Sequence, residues 1–156
     1  MLIIGIDPDS KKIAISVYQN GKLEELLMLD TIQLYKTLDK YQCDNHEIIV
    51  YLENVKANSS SSFHNKSKDS LAVKSKKSEH IGMVKQSQSE IERVCDHLGI
   101  VYHLKKISSN WKKGNGVESF KLATGWTKRS NEDTRSAAYF GFLGVRENYN
   151  ILRKVK

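Results

Sequence analysis

The sequence predicts an α/β domain built on a mixed five-stranded sheet, in the order β-β-β-α-β-α-β-α, with helices on both faces. Three observations carry this. Two nearly unbroken apolar runs, "LIIGID" at 2–7 and "EIIVYLE" at 47–53, have the composition of strands buried on both faces, and each ends on a carboxylate. Between them, stretches of alternating polarity are joined by Asn20-Gly21, a hairpin signal. Beyond them, helical and strand patterns alternate, so crossovers follow an initial antiparallel meander.

Taken in order, residues 2–6 form the first and central strand. Asp7-Pro8-Asp9-Ser10 is good turn chemistry, and a turn alone is a sufficient reason for Asp7. Ile13, Ile15 and Val17 alternate along a second strand, and Asn20-Gly21 leads into a third over 23–29. Asp30, with Gln33 three residues on, caps a helix over 31–41 that carries Tyr35, Leu38 and Tyr41 on one face. A right-handed crossover through that helix lays the strand at 48–53 parallel to the first. Asp7 and Glu53 then end adjacent strands at the same side, about 5 Å apart in backbone spacing. Carboxylates that close repel unless a cation joins them.

From 57 to 78 the composition shifts to Ser, Lys and Asn, which predicts a mobile insertion within a single domain spanning 1–156. Helical spacing resumes with Ile81, Val84, Ile91, Val94, Cys95 and Leu98, and Gly99 is the expected C-cap. Residues 100–107 form a fifth strand, 117–124 a short helix and 131–146 a last helix. Ala137, Gly141 and Gly144 on that helix predict close packing against the sheet.

Lys and Arg total 25 against 18 Asp and Glu, a net charge of +7, which points to a polyanionic partner and favours nucleic acid over membrane. No apolar run approaches the roughly 20 residues of a membrane span, and the N-terminus lacks the pattern of a secretory leader. A soluble, cytoplasmic protein is expected. The two cysteines, Cys43 and Cys95, are too far apart to suggest a disulfide framework or zinc site, and Cys95 reads as core. The five histidines show no metal-ligand spacing, and His80 reads as a chance neighbour of the strand ends.

The stretches "IIGIDPDS", "IIVYLENV", "IGMVKQSQSEIERVCDHLGIVYHL", "SNWKK" and "NEDTRSAAYFGFLG" cover most of the chain outside the insertion. In these the chain resembles the RuvC-like Holliday-junction resolvases of phage and bacteria, a branch of the ribonuclease-H-like superfamily. The resemblance implies a ribonuclease-H-like fold and a homodimeric endonuclease. It also implies two Mg²⁺ ions, with Mn²⁺ as a substitute, and paired nicking of a four-way DNA junction. Asp7 matches a first-strand aspartate that bridges both ions, and Glu53 a fourth-strand glutamate that binds one. On the last helix Asp133 is the implied third ligand.

The family usually carries a second acid three residues later, where this chain has Ser136, at best a weak or water-mediated ligand. Glu132 is the nearest spare carboxylate, but it points about 100° away around the helix and serves only as a backup ligand. Trp111-Lys112 matches a family Trp-Lys pair, which gives Lys112 a catalytic phosphate contact with Lys113 beside it on DNA. Lys74, Lys76 and Lys77 resemble a phosphate-tracking arm, and Phe63 suits stacking on an unpaired base. Gly82 resembles a family glycine that admits the DNA backbone. Plainer readings stand beside these: Ser130 and Asp133 as a helix cap, the lysines as a solvated loop, Phe63 as a packing anchor, Trp111 as core and Gly82 as a tolerated helix glycine. The alternative functions are a fork, flap or RNA–DNA hybrid nuclease on the same fold, or a catalytically weakened DNA-binding protein.

Overall fold

Only segments apolar on both faces can occupy the middle of a covered sheet, and the two solid apolar runs do so. The computed structural model describes residues 1–44, 46–57 and 70–152. Its strands are β1 (Leu2–Asp7), β2 (Ile13–Gln19), β3 (Lys22–Leu29), β4 (Ile48–Glu53) and β5 (Val101–Lys105). Its helices are α1 (Thr31–Cys43), α2 (Leu71–Leu98), α3 (Asn115–Thr124), α4 (Glu132–Glu147) and the short α5 (Tyr149–Leu152). The sheet order is β3-β2-β1-β4-β5, with β1 antiparallel to β2 and parallel to β4, and β4 parallel to β5. This is the mixed α/β sheet that the sequence predicts. The β1–β4 register runs from Leu2 opposite Ile48 to Ile6 opposite Leu52, so the next residue on each strand is a carboxylate.

Each face of the sheet has its own core. On one, Ile4, Ile6 and Val50 meet Leu34 and Leu38 of α1 and Ile91 and Cys95 of α2. On the other, Ile3, Tyr18 and Tyr51 meet Phe140 of α4 and Phe120 of α3. α4 lies so close that a Cβ placed on Gly5 would fall 2.1 Å from the Ala137 carbonyl oxygen and 2.2 Å from the Gly141 nitrogen. The Ser16 hydroxyl donates to Ala137 O and the Tyr18 hydroxyl to Ala138 O, both at 2.9 Å, which fixes the helix along its axis. The first turn of α4 therefore has a defined position at the strand ends.

Asp30 and Gln33 form the reciprocal cap that their spacing predicts. On α4 the cap is Asn131 with Thr134, not Ser130 with Asp133, so Asp133 is not used to close the helix end. α2 starts at Leu71 behind the Ser70 cap, which makes residues 71–78 helical although the sequence reads them as the end of an insertion. Its buried residues, Gln88, Ile91 and Cys95, all lie in its C-terminal half. Phe63 lies outside the described residues. Among the described residues no helix is long and apolar enough to cross a membrane.

Candidate active site

Asp7 and Glu53 are buried because each is the last residue of a strand whose other side chains form the core; they are only 5% and 2% exposed. Two adjacent carboxylates in such surroundings cannot both remain charged cheaply. Burial, followed by the hydrogen bond and charge of Asp7, pushes Glu53 up to about 8; Lys112 and the Ser108 N–H, which donates to Glu53 Oε1 at 3.2 Å, pull the other way. The Lys112 ammonium lies 3.4 Å from Asp7 Oδ2 and 3.9 Å from Glu53 Oε2. Burial disfavours its charge, but the pair of carboxylates outweighs burial and the amine is held above its ordinary value. Asp133, in the first turn of α4, is raised by burial and then by the charges of Asp7 and Asp9. The strand ends thus hold an excess of carboxylates around one ammonium.

These groups line a cleft of about 790 Å³ between the strand ends and α2. Asp7, Asp9, Glu53 and Asp133 make an acidic floor, and Lys76, Lys77, His80 and Lys85 of α2 make a basic wall. The offsets 76, 77, 80 and 84–85 repeat at three and four residues, which places these side chains on one helical face. That spacing was the available signal for His80.

The structure brings together Asp7, Glu53, Asp133 and Lys112 at the floor, with Lys76 and Lys77 at the wall. It does not bring the other named residues to the cleft. Glu132 pairs instead with Lys113 at 3.4 Å on the surface. Ser136 is buried, and its Oγ is the one buried side-chain nitrogen or oxygen among the described residues without a hydrogen-bond partner. Lys74 lies one turn before the basic wall. A Cβ on Gly82 would meet nothing within 4 Å, so no internal packing requires that glycine. Trp111 is core, as its plainer reading had it. Sequence reasoning missed Arg135, which donates to the carbonyls of Trp111 and Lys112. No motif or periodicity marks a side chain whose partners are loop carbonyls.

Hard, converging carboxylate oxygens are the donor set that divalent cations such as Mg²⁺ take, and the mutual repulsion of Asp7 and Glu53 favours any cation between them. Among the described residues no group of three or more His, Cys, Asp or Glu side chains is placed to hold a metal ion; at the floor an ammonium stands between two carboxylates. By donor chemistry alone, Asp7 and Glu53 are the pair that would receive a cation.

No protein-family model matches the chain, and no curated protein matches it in sequence. Solved structures that share its architecture include two of RuvC. One is T. thermophilus RuvC in complex with Holliday junction substrate, with a TM-score of 0.58 and 10% identity over 96% of this chain and 96% of that one. The other is a Thermus thermophilus RuvC structure, with a TM-score of 0.56 and 12% identity over 96% of this chain and 97% of that one. At such identities the likeness is one of fold, and the chain has the RuvC-type, ribonuclease-H-like α/β fold.

Proposed function

We propose that this chain is a divalent-metal-dependent endonuclease of branched DNA that nicks four-way junctions and works as a homodimer. The observation that carries the reading is the buried Asp7–Glu53 pair at the ends of two parallel central strands, with Asp133 lining the same cleft. The basic wall opposite, the net charge of +7 and a fold shared with RuvC, one example of which is bound to Holliday junction substrate, support a nucleic-acid substrate.

Asp7 and Glu53 would hold Mg²⁺, or Mn²⁺ in its place, with Asp133 as the third carboxylate. When bound, a pair of such ions supplies Lewis acidity for attack by water on phosphorus and for departure of the leaving oxygen. The chain's own contribution is distinct. Glu53 must release its proton before its oxygens serve as ligands, and Lys112 counters the local negative charge until then. Lys76, Lys77 and Lys85 face the cleft, where they hold a phosphate backbone above the acidic floor. Phosphate contacts of this kind position the strand without reading its sequence.

A synthetic four-way junction incubated with the protein and Mg²⁺ tests the reading. The expected product is a pair of nicks in opposed strands, lost by at least about 1000-fold in Asp7→Asn and in Glu53→Gln while junction affinity stays within about threefold. Cleavage retained in both folded variants sinks the metal site. A wild type that binds the junction but cuts no branched substrate in saturating Mg²⁺ or Mn²⁺ makes the chain a binding protein. That second reading is favoured by Ser136, which stands where the family the chain resembles usually carries a second acid.

A further inference from the structure

We propose that Arg135 is a positioning residue for Lys112: by gripping the carbonyls of Trp111 and Lys112, it holds the lysine turn so that the ammonium lies between Asp7 and Glu53. The geometric claim stands by itself, and its consequence for turnover rests on the nuclease reading above.

Lys112 belongs to no regular element, since β5 ends at Lys105 and α3 starts at Asn115. A lysine stem has four freely rotating bonds, so an ammonium held 3.4 and 3.9 Å from two buried carboxylates needs a fixed backbone beneath it. The turn before it has an uncommon shape. Trp111 sits at φ +65°, the left-handed region that bulky side chains avoid, and such a conformation persists only where the surroundings over-determine it.

Three supports do so. The indole packs at centroid distances of 5.6, 5.4 and 5.2 Å from Phe120, Tyr139 and Phe142. Gly116 lies against the Trp111 backbone, where an added Cβ would fall 2.8 Å from its nitrogen. Arg135 supplies the third support: Nε donates to Trp111 O at 3.0 Å, and Nη2 to Lys112 O at 2.6 Å. Nη1 reaches Ser130 O at 3.4 Å, just ahead of the α4 cap.

Aromatic packing fixes where Trp111 lies, but among the described residues it is the guanidinium that engages the carbonyl of Lys112 itself. A planar fork can serve two successive carbonyls at once, whereas a lysine ammonium is a point donor. Arg135 is also two residues from Asp133 on a helix locked to the sheet. One side chain thereby ties the position of the lysine to the helix that carries the third carboxylate.

The test uses the full chain with Arg135→Gln and Arg135→Lys. In metal-free protein, ¹H–¹³C spectra should show the Lys112 ε-methylene displaced from the surface-lysine envelope in wild type. It should fall inside that envelope in Arg135→Gln and between the two in Arg135→Lys. In single-turnover cleavage of the junction, Arg135→Gln should lose about 10- to 100-fold in rate, with junction Kd within about twofold. In a Lys112→Ala background the same change should cost nothing further, since Arg135 acts through that lysine. An unmoved Lys112 signal, or losses that multiply in the double variant, overturns the proposal. Should Arg135→Gln fail to fold, Arg135→Lys decides both measurements. A wild type that cuts no junction defeats the nuclease reading alone, and the Lys112 signal then decides the clamp.

Discussion

The two faces of the sheet are built to different tolerances. Under α4, backbone meets backbone at Gly5 and Gly141, and hydroxyls of Ser16 and Tyr18 hold helix carbonyls. Across the sheet, α2 buries residues only in its C-terminal half and leaves Leu71 and Met83 exposed in the other. Asp133 and the grip on the Lys112 turn belong to the tight side, while Lys76, Lys77 and His80 project from the loose one. A reacting centre needs fixed geometry, whereas a hold on a charged backbone tolerates movement. Under the proposed nuclease reading, Asp133 and the Lys112 turn would sit on the fixed side and the phosphate contacts on the other.

A glycine under α4 and a glycine on α2 measure how far the two helices differ. Gly5→Ala drives a methyl into the α4 backbone, which cannot relax by rotating a side chain, so it should cost about 3 kcal/mol or more and lower Tm by roughly 6–12 °C. Gly82→Ala meets open space within a helix and should stabilise by up to about 1 kcal/mol. Thermal unfolding of both variants measures the difference. Equal effects would mean that Gly5 is packed no more tightly than the exposed Gly82.

The loose face should instead reveal itself through binding. Replacing Lys76 and Lys77 with Gln should weaken junction affinity at moderate salt by about tenfold and reduce the slope of log K against log salt by about 1–2, one phosphate per lysine. Single-turnover nicking at saturating DNA should persist. An unchanged salt slope would place the DNA-contacting surface elsewhere.

Legibility divided along the same line. The carboxylate pair was readable because a charged residue ending a solid apolar run violates the local pattern, and Asp7 and Glu53 do so on strands that the crossover rule makes neighbours. The close packing of α4 was readable from Ala137, Gly141 and Gly144. The cap was misplaced by one residue, because Ser130 and Asn131 are both good capping types and only the backbone decides between them. The start of α2 was hidden for another reason. Residues 71–78 have little core to bury, so their helix extends a packed segment and shows no periodicity of its own. The place of the Lys112 ammonium between two carboxylates was not legible, because its loop is held by Arg135, a residue 23 positions further along the chain.

The acidic floor also predicts a pH signature. Glu53 is held at about 8 in the metal-free fold against an ordinary 4.5, so the folded chain binds a proton that the unfolded chain has released over that interval. Its contribution to stability is complete below about 4.5 and is lost as pH rises through about 8. Asp133 is shifted in the same direction. Tm of the metal-free protein should therefore fall by several degrees between pH 5 and 8.5, and Glu53→Gln should flatten most of that slope. Mg²⁺ should raise Tm more at pH 8.5 than at pH 6, because ligation requires the proton to leave. A wild-type slope that survives in Glu53→Gln would show that Glu53 is not the group that carries it.

Ser136 is buried on the tight face and away from the cleft. Its hydroxyl is buried with no hydrogen-bond partner, a state that loses solvation without compensation, so Ser136→Ala should stabilise the metal-free protein by about 0.5–1 kcal/mol. Because Ser136 does not line the cleft with Asp7, Glu53 and Asp133, the Mg²⁺ concentration for half-maximal cleavage should stay within about twofold. Ser136→Asp is the informative partner. An aspartate there puts an unpaired charge into the α4 interface and should lower the metal-free Tm, with recovery in Mg²⁺ only if that carboxylate reaches the ion. A tenfold rise in the Mg²⁺ requirement of Ser136→Ala, together with Mg²⁺ recovery of Ser136→Asp, would place the serine among the ligands. The tight face would then extend one helical turn further into the site than the cleft lining indicates.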